Sequence, residues 1–164
     1  MKKLVLIGFA ASGKSSVGKL IEKKINMQFV DTDVEIERQC GMSVREIFDK
    51  LGETYFRQNE NELVALLATR QNVVVACGGG SVLAESFAQL SSDSLVVLLT
   101  ATAATVKSRL GNTSRPLFDG LSEDELANFI ASRAQLYNRY SNIAIATDGL
   151  TVEQVVEEII SHII

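Results

Sequence analysis

The chain has 164 residues, 46% of them apolar, and a formal net charge of −4. That length fits one domain with a sizeable core, and the charges, spread along the sequence, offer no basic face for broad nucleic-acid binding. No apolar run is long enough to cross a membrane.

Lys2 and Lys3 lead into an apolar strand over 3–8. A basic start before apolar residues also opens secretory signals, but Gly8 interrupts this run and Gly13-Lys14 ends it, so no export signal is read here. Residues 8–15, Gly8-Phe9-Ala10-Ala11-Ser12-Gly13-Lys14-Ser15, follow the phosphate-loop pattern G-x-x-x-x-G-K-[ST] in its strand–loop–helix setting. The glycines let backbone amides turn toward an anion, Lys14 reaches the outer phosphates, and the Ser15 hydroxyl ligates Mg²⁺. The N-terminus of the following helix adds partial positive charge. These features predict a nucleotide phosphate site.

A second strand, 28–31, runs into Asp31-Thr32-Asp33. Ligands of open α/β sheets bind beyond the carboxyl ends of strands. One carboxylate there could hold the waters of Mg²⁺ and the other could accept a hydrogen bond from an attacking hydroxyl; both could equally be turn or helix caps. Arg57 follows in Glu53-Thr54-Tyr55-Phe56-Arg57. The third strand, 73–77, is followed by Gly78-Gly79-Gly80, a run that suits either close ligand approach or a plain loop. The fourth strand is 95–100. Gly, Asn and Pro punctuation then marks a loop over 111–121, in which Arg115 makes a candidate lid over phosphates. Arg133 lies in the next helical stretch, and a fifth strand covers 142–146. Arg57, Arg115 and Arg133 could each bind carboxylate or phosphate, or each be a solvated surface arginine.

Capping boxes at Ser43-x-x-Glu46, Ser122-x-x-Glu125 and Thr151-x-x-Gln154 start helices, and Val152, Val155, Val156, Ile159, Ile160 and Ile163 give the last helix one apolar face. Val73 to Ala76 and Leu95 to Leu99 are continuously apolar, as strands covered on both faces are. The pattern predicts an α/β fold, a parallel sheet with helices on both sides. Cys40 and Cys77 are far apart and lack metal-ligand spacing, so they read as reduced thiols in the cytoplasm. His162 is the only histidine, which leaves no Ser-His-Asp triad.

The ordered set resembles the shikimate kinase family, within the nucleoside-monophosphate-kinase-like P-loop group. It comprises the loop at 8–15, Asp31-x-Asp33, Gly52-Glu53…Phe56-Arg57…Glu60, Gly78-Gly79-Gly80, Arg115-Pro116-Leu117, and Arg133 with Tyr137 four residues on. The resemblance covers essentially the whole chain. It implies a single three-layer α/β/α domain over 1–164 with strand order 2-3-1-4-5, a substrate-binding segment at about 33–61 and a lid at about 111–122. The implied reaction moves the γ-phosphoryl group of ATP to the 3-hydroxyl of shikimate, in chorismate and aromatic amino-acid biosynthesis, in a cytoplasmic monomer with no nucleic-acid or membrane partner. Lys14, Asp33 and Arg115 would be catalytic. Ala11, Ser12, Gly13, Lys14, Ser15, Ser16, Arg109 and Arg115 would hold ATP, with Arg109 stacking on adenine and Asp148-Gly149-Leu150 completing that pocket. Asp33, Arg57, Gly78, Gly79, Gly80 and Arg133 would hold shikimate, Glu60 would brace the arginines, and Phe48 and Phe56 would wall the ring. Ser15 would ligate Mg²⁺ directly and Asp31 through water.

Three positions depart from the family pattern. Ala11 stands where another glycine is usual, and an ordinary negative φ is expected there, because a left-handed alanine costs about 1–2 kcal/mol. Cys77 replaces a hydroxyl residue, which weakens a contact to the metal's waters. Gln135 replaces a common proline. Gluconate or a nucleoside monophosphate is the alternative acceptor, and a non-catalytic nucleotide-binding module the alternative class.

Overall fold

Five short strands and eight α-helices alternate along the chain in a computed structural model that describes residues 2–113, 115 and 118–163. Pro116 and Leu117, part of the motif quoted above, lie outside the described residues. The strands are β1 (Lys3–Ile7), β2 (Gln28–Asp31), β3 (Val73–Ala76), β4 (Leu95–Thr100) and β5 (Ile143–Ala146). The helices are α1 (Lys14–Ile25), α2 (Thr32–Cys40), α3 (Val44–Leu51), α4 (Glu53–Ala68), α5 (Phe87–Ser92), α6 (Ala103–Leu110), α7 (Glu123–Tyr140) and α8 (Val152–Ser161), with a 3₁₀ turn at Ser81–Leu83. The sheet order is β2-β3-β1-β4-β5, and every pairing is parallel. Both the strands read from sequence, within a residue at each end, and the order implied by the resemblance are borne out.

Strand alternation divides the core. Val5 and Ile7 of β1, with Val73 and Val75 of β3, face α2, α3, α4, α5 and α7, where Ile36, Ile47, Val64, Phe87 and Tyr137 cover them. Leu4 and Leu6 point the other way, against Val17 and Ile21 of α1 and Val155, Val156 and Ile159 of α8. Each fully buried side chain of this size contributes about 1.5–3 kcal/mol. Two-sided cover is why these strands are apolar throughout rather than alternating.

The three capping boxes form as read, at Ser43, Ser122 and Thr151. They fix where α3, α7 and α8 begin, and so where the loops before them lie. A third, smaller cluster packs Phe9 with Val106 of α6, Leu126 of α7 and the partly buried Phe118 and Phe129. It anchors the 118–122 stretch over the carboxyl edge of the sheet. Among the described residues no helix is long and apolar enough to cross a membrane.

Candidate active site

Three strand ends meet at this carboxyl edge. The loop after β1 turns tightly, closed by the Ser12 N–H to the Phe9 carbonyl at 3.3 Å. Ala11 is the third residue of that turn and has φ 58°, so the expectation of a negative φ there is overturned. A type II turn takes positive φ at this position whatever residue occupies it, and turn geometry outweighs the alanine preference. The Ala11 carbonyl accepts from Arg109 Nη1 at 2.9 Å. Gly13 is the N-cap of α1 at φ 98°, which opens the first-turn amides of α1, unpaired within the helix, toward the cavity in front.

Lys14 is buried, and its ammonium donates to the Gly8 and Phe9 carbonyls, each at 2.8 Å. Burial lowers its pKa to about 8, with Asp33 and then Cys77 and Asp31 opposing the shift. Ser15 Oγ donates to Asp31 Oδ2. Asp31 Oδ1 accepts from the Asp33 and Val34 amides at 3.1 and 3.2 Å, so Asp31 is the N-cap of α2 and a neighbour of the phosphate loop at once. The cap and ligand readings were alternatives in sequence; one carboxylate has an oxygen for each.

Asp33 projects from the first turn of α2 against Gly78, where an added Cβ would lie 2.4 Å from Asp33 Oδ1. The Thr32 hydroxyl accepts from the Gly78 amide at 2.8 Å, tying the glycine run to α2. Burial raises the Asp33 pKa to about 6; Asp31 and Glu60 push it further up, against Lys14 and Arg115. The Cys77 thiol is driven upward by burial and stays protonated.

Two of the arginines, Arg57 and Arg133, are built into bonded frames. Arg57 Nη1 donates to Glu60 Oε1 at 2.7 Å, and Glu60, 1% exposed, takes the Ser81 hydroxyl on its other oxygen at 3.0 Å. Arg57 also lies over the Phe56 ring at 5.4 Å, and Phe56 meets Phe48 edge-on at 5.2 Å. Arg133 Nη1 and the Tyr137 hydroxyl both donate to the Gly79 carbonyl at 2.6 Å. Arg115 has a buried Nε with no hydrogen-bond partner among the described residues.

Two cavities open here. One is lined by Ala11, Gly13, Lys14, Ser15, Ser16, Asp31 and Gly78. The other is lined by Phe48, Phe56, Arg57, Glu60, Gly80 and Arg133. Ala10, Asp33, Gly79 and Arg115 line both. Ser12, within the loop, is fully buried and lines neither cavity. Arg109 lines neither cavity; Asp148 accepts from the Thr102 amide at 3.1 Å, so the 148–150 loop is fastened to the start of α6.

Sequence reading missed several participants. Ser81 bonds Glu60, Thr32 bonds the Gly78 amide and Thr147 takes two bonds from Arg109, and a lone Ser or Thr carries no pattern that reveals such a partner. The contact of Arg45 Nη1 with Asp119 Oδ2 at 2.6 Å joins α3 to the 118–122 stretch across 74 residues, and no local signal could have shown it.

A family model described as shikimate kinase matches residues 10–164. The chain is 41% identical to a shikimate kinase of Thermodesulfovibrio yellowstonii over 99% of this chain and 95% of that one. It is 38% identical to one of Francisella tularensis subsp. novicida, again over 99% and 95%. Among solved structures, a shikimate kinase from Acinetobacter baumannii in complex with shikimate superposes with a TM-score of 0.92 at 27% identity, over 99% of this chain and 93% of that one. One from Aquifex aeolicus superposes at 0.82 and 33% identity, over 98% and 95%. A Sinorhizobium meliloti gluconokinase, at 17% identity and 0.59, shares the fold. The chain belongs to the shikimate kinase family, ATP-dependent phosphotransferases with an alcohol group as acceptor.

Proposed function

We propose that this protein transfers the γ-phosphoryl group of ATP to the 3-hydroxyl of shikimate, giving shikimate 3-phosphate and ADP in the cytoplasm. The observation that carries the reading is the pair of cavities joined at Asp33 and Arg115. The first has the amides and ammonium of a triphosphate cradle. The second has two guanidinium groups among aromatic walls, suited to a small cyclic carboxylate.

Ser15 and Asp31 fit Mg²⁺: they are hard oxygen donors in mutual contact on the phosphate cavity, and Mg²⁺ keeps most of its ligands as water and phosphate oxygen. Bound with ATP, the ion offsets triphosphate charge. Lys14 leaves the Gly8 and Phe9 carbonyls for the outer phosphates, and Arg115, which lines both cavities and whose Nε has no hydrogen-bond partner among the described residues, meets the same charge. Arg57, held by Glu60, and Arg133, held by the Gly79 carbonyl, take the shikimate carboxylate. That fixes the ring with its 3-hydroxyl toward Asp33. The hydroxyl oxygen attacks the γ-phosphorus, the bond to the β–γ bridging oxygen breaks, ADP leaves, and Asp33 accepts the hydroxyl proton late. Phosphoryl transfer is loose, so alignment and charge neutralisation carry most of the rate. The 33–61 segment serves as the substrate clamp. The 111–122 segment serves as a lid, with Phe118 against Phe9 at 5.0 Å and Asp119 on Arg45. Closure keeps water from the phosphoryl group. The protein works as a monomer in this reading.

Coupled ADP release with ATP and Mg²⁺ tests it, run against shikimate, gluconate and several nucleotides. Shikimate should be turned over fastest; equal or greater turnover on another acceptor would remove the reading.

A further inference from the structure

We infer that Arg109 is a positioning residue for the phosphate loop, holding Ala11 in its left-handed conformation through the Ala11 carbonyl and so keeping the loop's amides aimed at the triphosphate. The inference rests on the reading of residues 8–15 as the phosphate site.

Ala11 is one of three non-glycine residues with positive φ among the described ones; the other two, Asn26 and Asn72, are of the type that tolerates it. Alanine has no side-chain polar group to compensate, and the left-handed state costs it about a factor of five to thirty in population. The Ser12 amide closes the turn from within the loop, and a contact from outside the loop adds to it at Ala11 itself. Arg109 is that contact. Its Nη1 donates to the Ala11 carbonyl at 2.9 Å and to Thr147 Oγ1 at 3.0 Å, and its Nη2 donates to the Thr147 carbonyl at 3.2 Å.

The anchor is itself rigid. Thr147 is 4% exposed, its hydroxyl donates to the Thr100 carbonyl at 2.9 Å, and its amide donates to the same carbonyl at 2.9 Å. The planar fork of arginine suits two acceptors on Thr147 and one on Ala11. A chain of bonds thus runs from the carboxyl end of β4 through Thr147 and Arg109 to the middle of the loop. The Ala11–Ser12 peptide also carries the Ser12 amide that closes the turn on the Phe9 carbonyl, so a flip of that peptide opens the turn leading into Gly13 and the first turn of α1.

A ligand with no base separates this role from adenine stacking. The affinity of inorganic tripolyphosphate with Mg²⁺ is measured by calorimetry on four proteins: the natural chain, Arg109→Ala, Ala11→Gly, and the double variant. Removing the arginine's charge weakens binding in both backgrounds alike. Loss of the loop contact weakens it only where residue 11 is alanine. The Arg109→Ala loss should therefore exceed the corresponding loss in the Ala11→Gly background by at least about threefold. Equal losses in the two backgrounds overturn the inference, as does an unchanged affinity in Arg109→Ala. Should Arg109→Ala not fold, Thr147→Val carries the same comparison, because it removes one acceptor of the guanidinium and leaves the charge. A loss confined to the alanine background supports the inference, and equal losses or none overturn it. If the natural chain itself fails to bind tripolyphosphate, the phosphate-site reading falls, and the inference with it.

Discussion

Gly78→Ala isolates the position of Asp33 from every other feature of the site. Gly78 does not have a left-handed φ, so alanine is tolerated by the backbone, and the perturbation is the added methyl alone. That methyl would lie 2.4 Å from Asp33 Oδ1, 3.1 Å from its Cγ and 3.3 Å from Oδ2. Ordinary contact at about 3.4 Å requires the carboxylate to move by about 1 Å. Asp33 is short and set in the first turn of α2, so it has no long stem on which to swing aside. A displacement of about 1 Å in a reacting group costs about 10²-fold in rate, or about 2.7 kcal/mol of barrier. Coupled ADP release should show turnover falling by about that factor, with ADP affinity by calorimetry within about twofold of the natural chain. Gly80→Ala is the control of the same size: its methyl would meet Arg57 Nη1 at 2.4 Å, at the far end of a long side chain. It should raise the KM for shikimate and spare kcat. Unchanged kcat in Gly78→Ala would refute the assignment of Asp33 to the reacting hydroxyl.

Asp33→Asn should lower kcat by about 10²–10⁴-fold, because the amide can still meet a hydroxyl but cannot take its proton, while calorimetry shows ATP binding retained. Natural rates in that variant would eliminate the role. Arg133→Ala should raise the KM for shikimate by about tenfold or more through loss of a charge-assisted bond, and an unaltered KM would dismiss the clamp. The profile of kcat/KM against pH should be bell-shaped. Activity is lost below about 6, as Asp33 takes up a proton and can no longer accept one, and above about 8, as Lys14 loses its charge. A profile flat across this range would contradict both assignments.

The fold was legible because its signals are local and repeated. Val73 to Ala76 announced a strand covered on both faces, and the Ser43, Ser122 and Thr151 boxes located three helix starts. Strand order was legible only through resemblance, since nothing in a strand's composition says which neighbour it pairs with. At the site, residue types that carry charge were found from motif spacing. Hydrogen-bond frames were not legible from spacing: the bracing of the arginines by Glu60 came only through the resemblance and is seen at Arg57, whereas that Ser81 holds Glu60, or that the Gly79 carbonyl gathers Arg133 and Tyr137, depends on segments 20 to 60 residues apart meeting at the sheet edge. Ala11 shows the reverse error. Its intrinsic preference predicted negative φ, and the turn with its arginine contact overrode that preference.

The most direct measurement is a crystal structure of the protein with ADP, Mg²⁺ and shikimate bound together. The shikimate carboxylate should sit between Arg57 and Arg133, with its 3-hydroxyl about 2.6–3.2 Å from the Asp33 carboxylate and open toward the phosphate cavity. A ring bound the other way round, or lying outside the Phe48–Phe56 walls with no hydroxyl in reach of Asp33, would contradict the account.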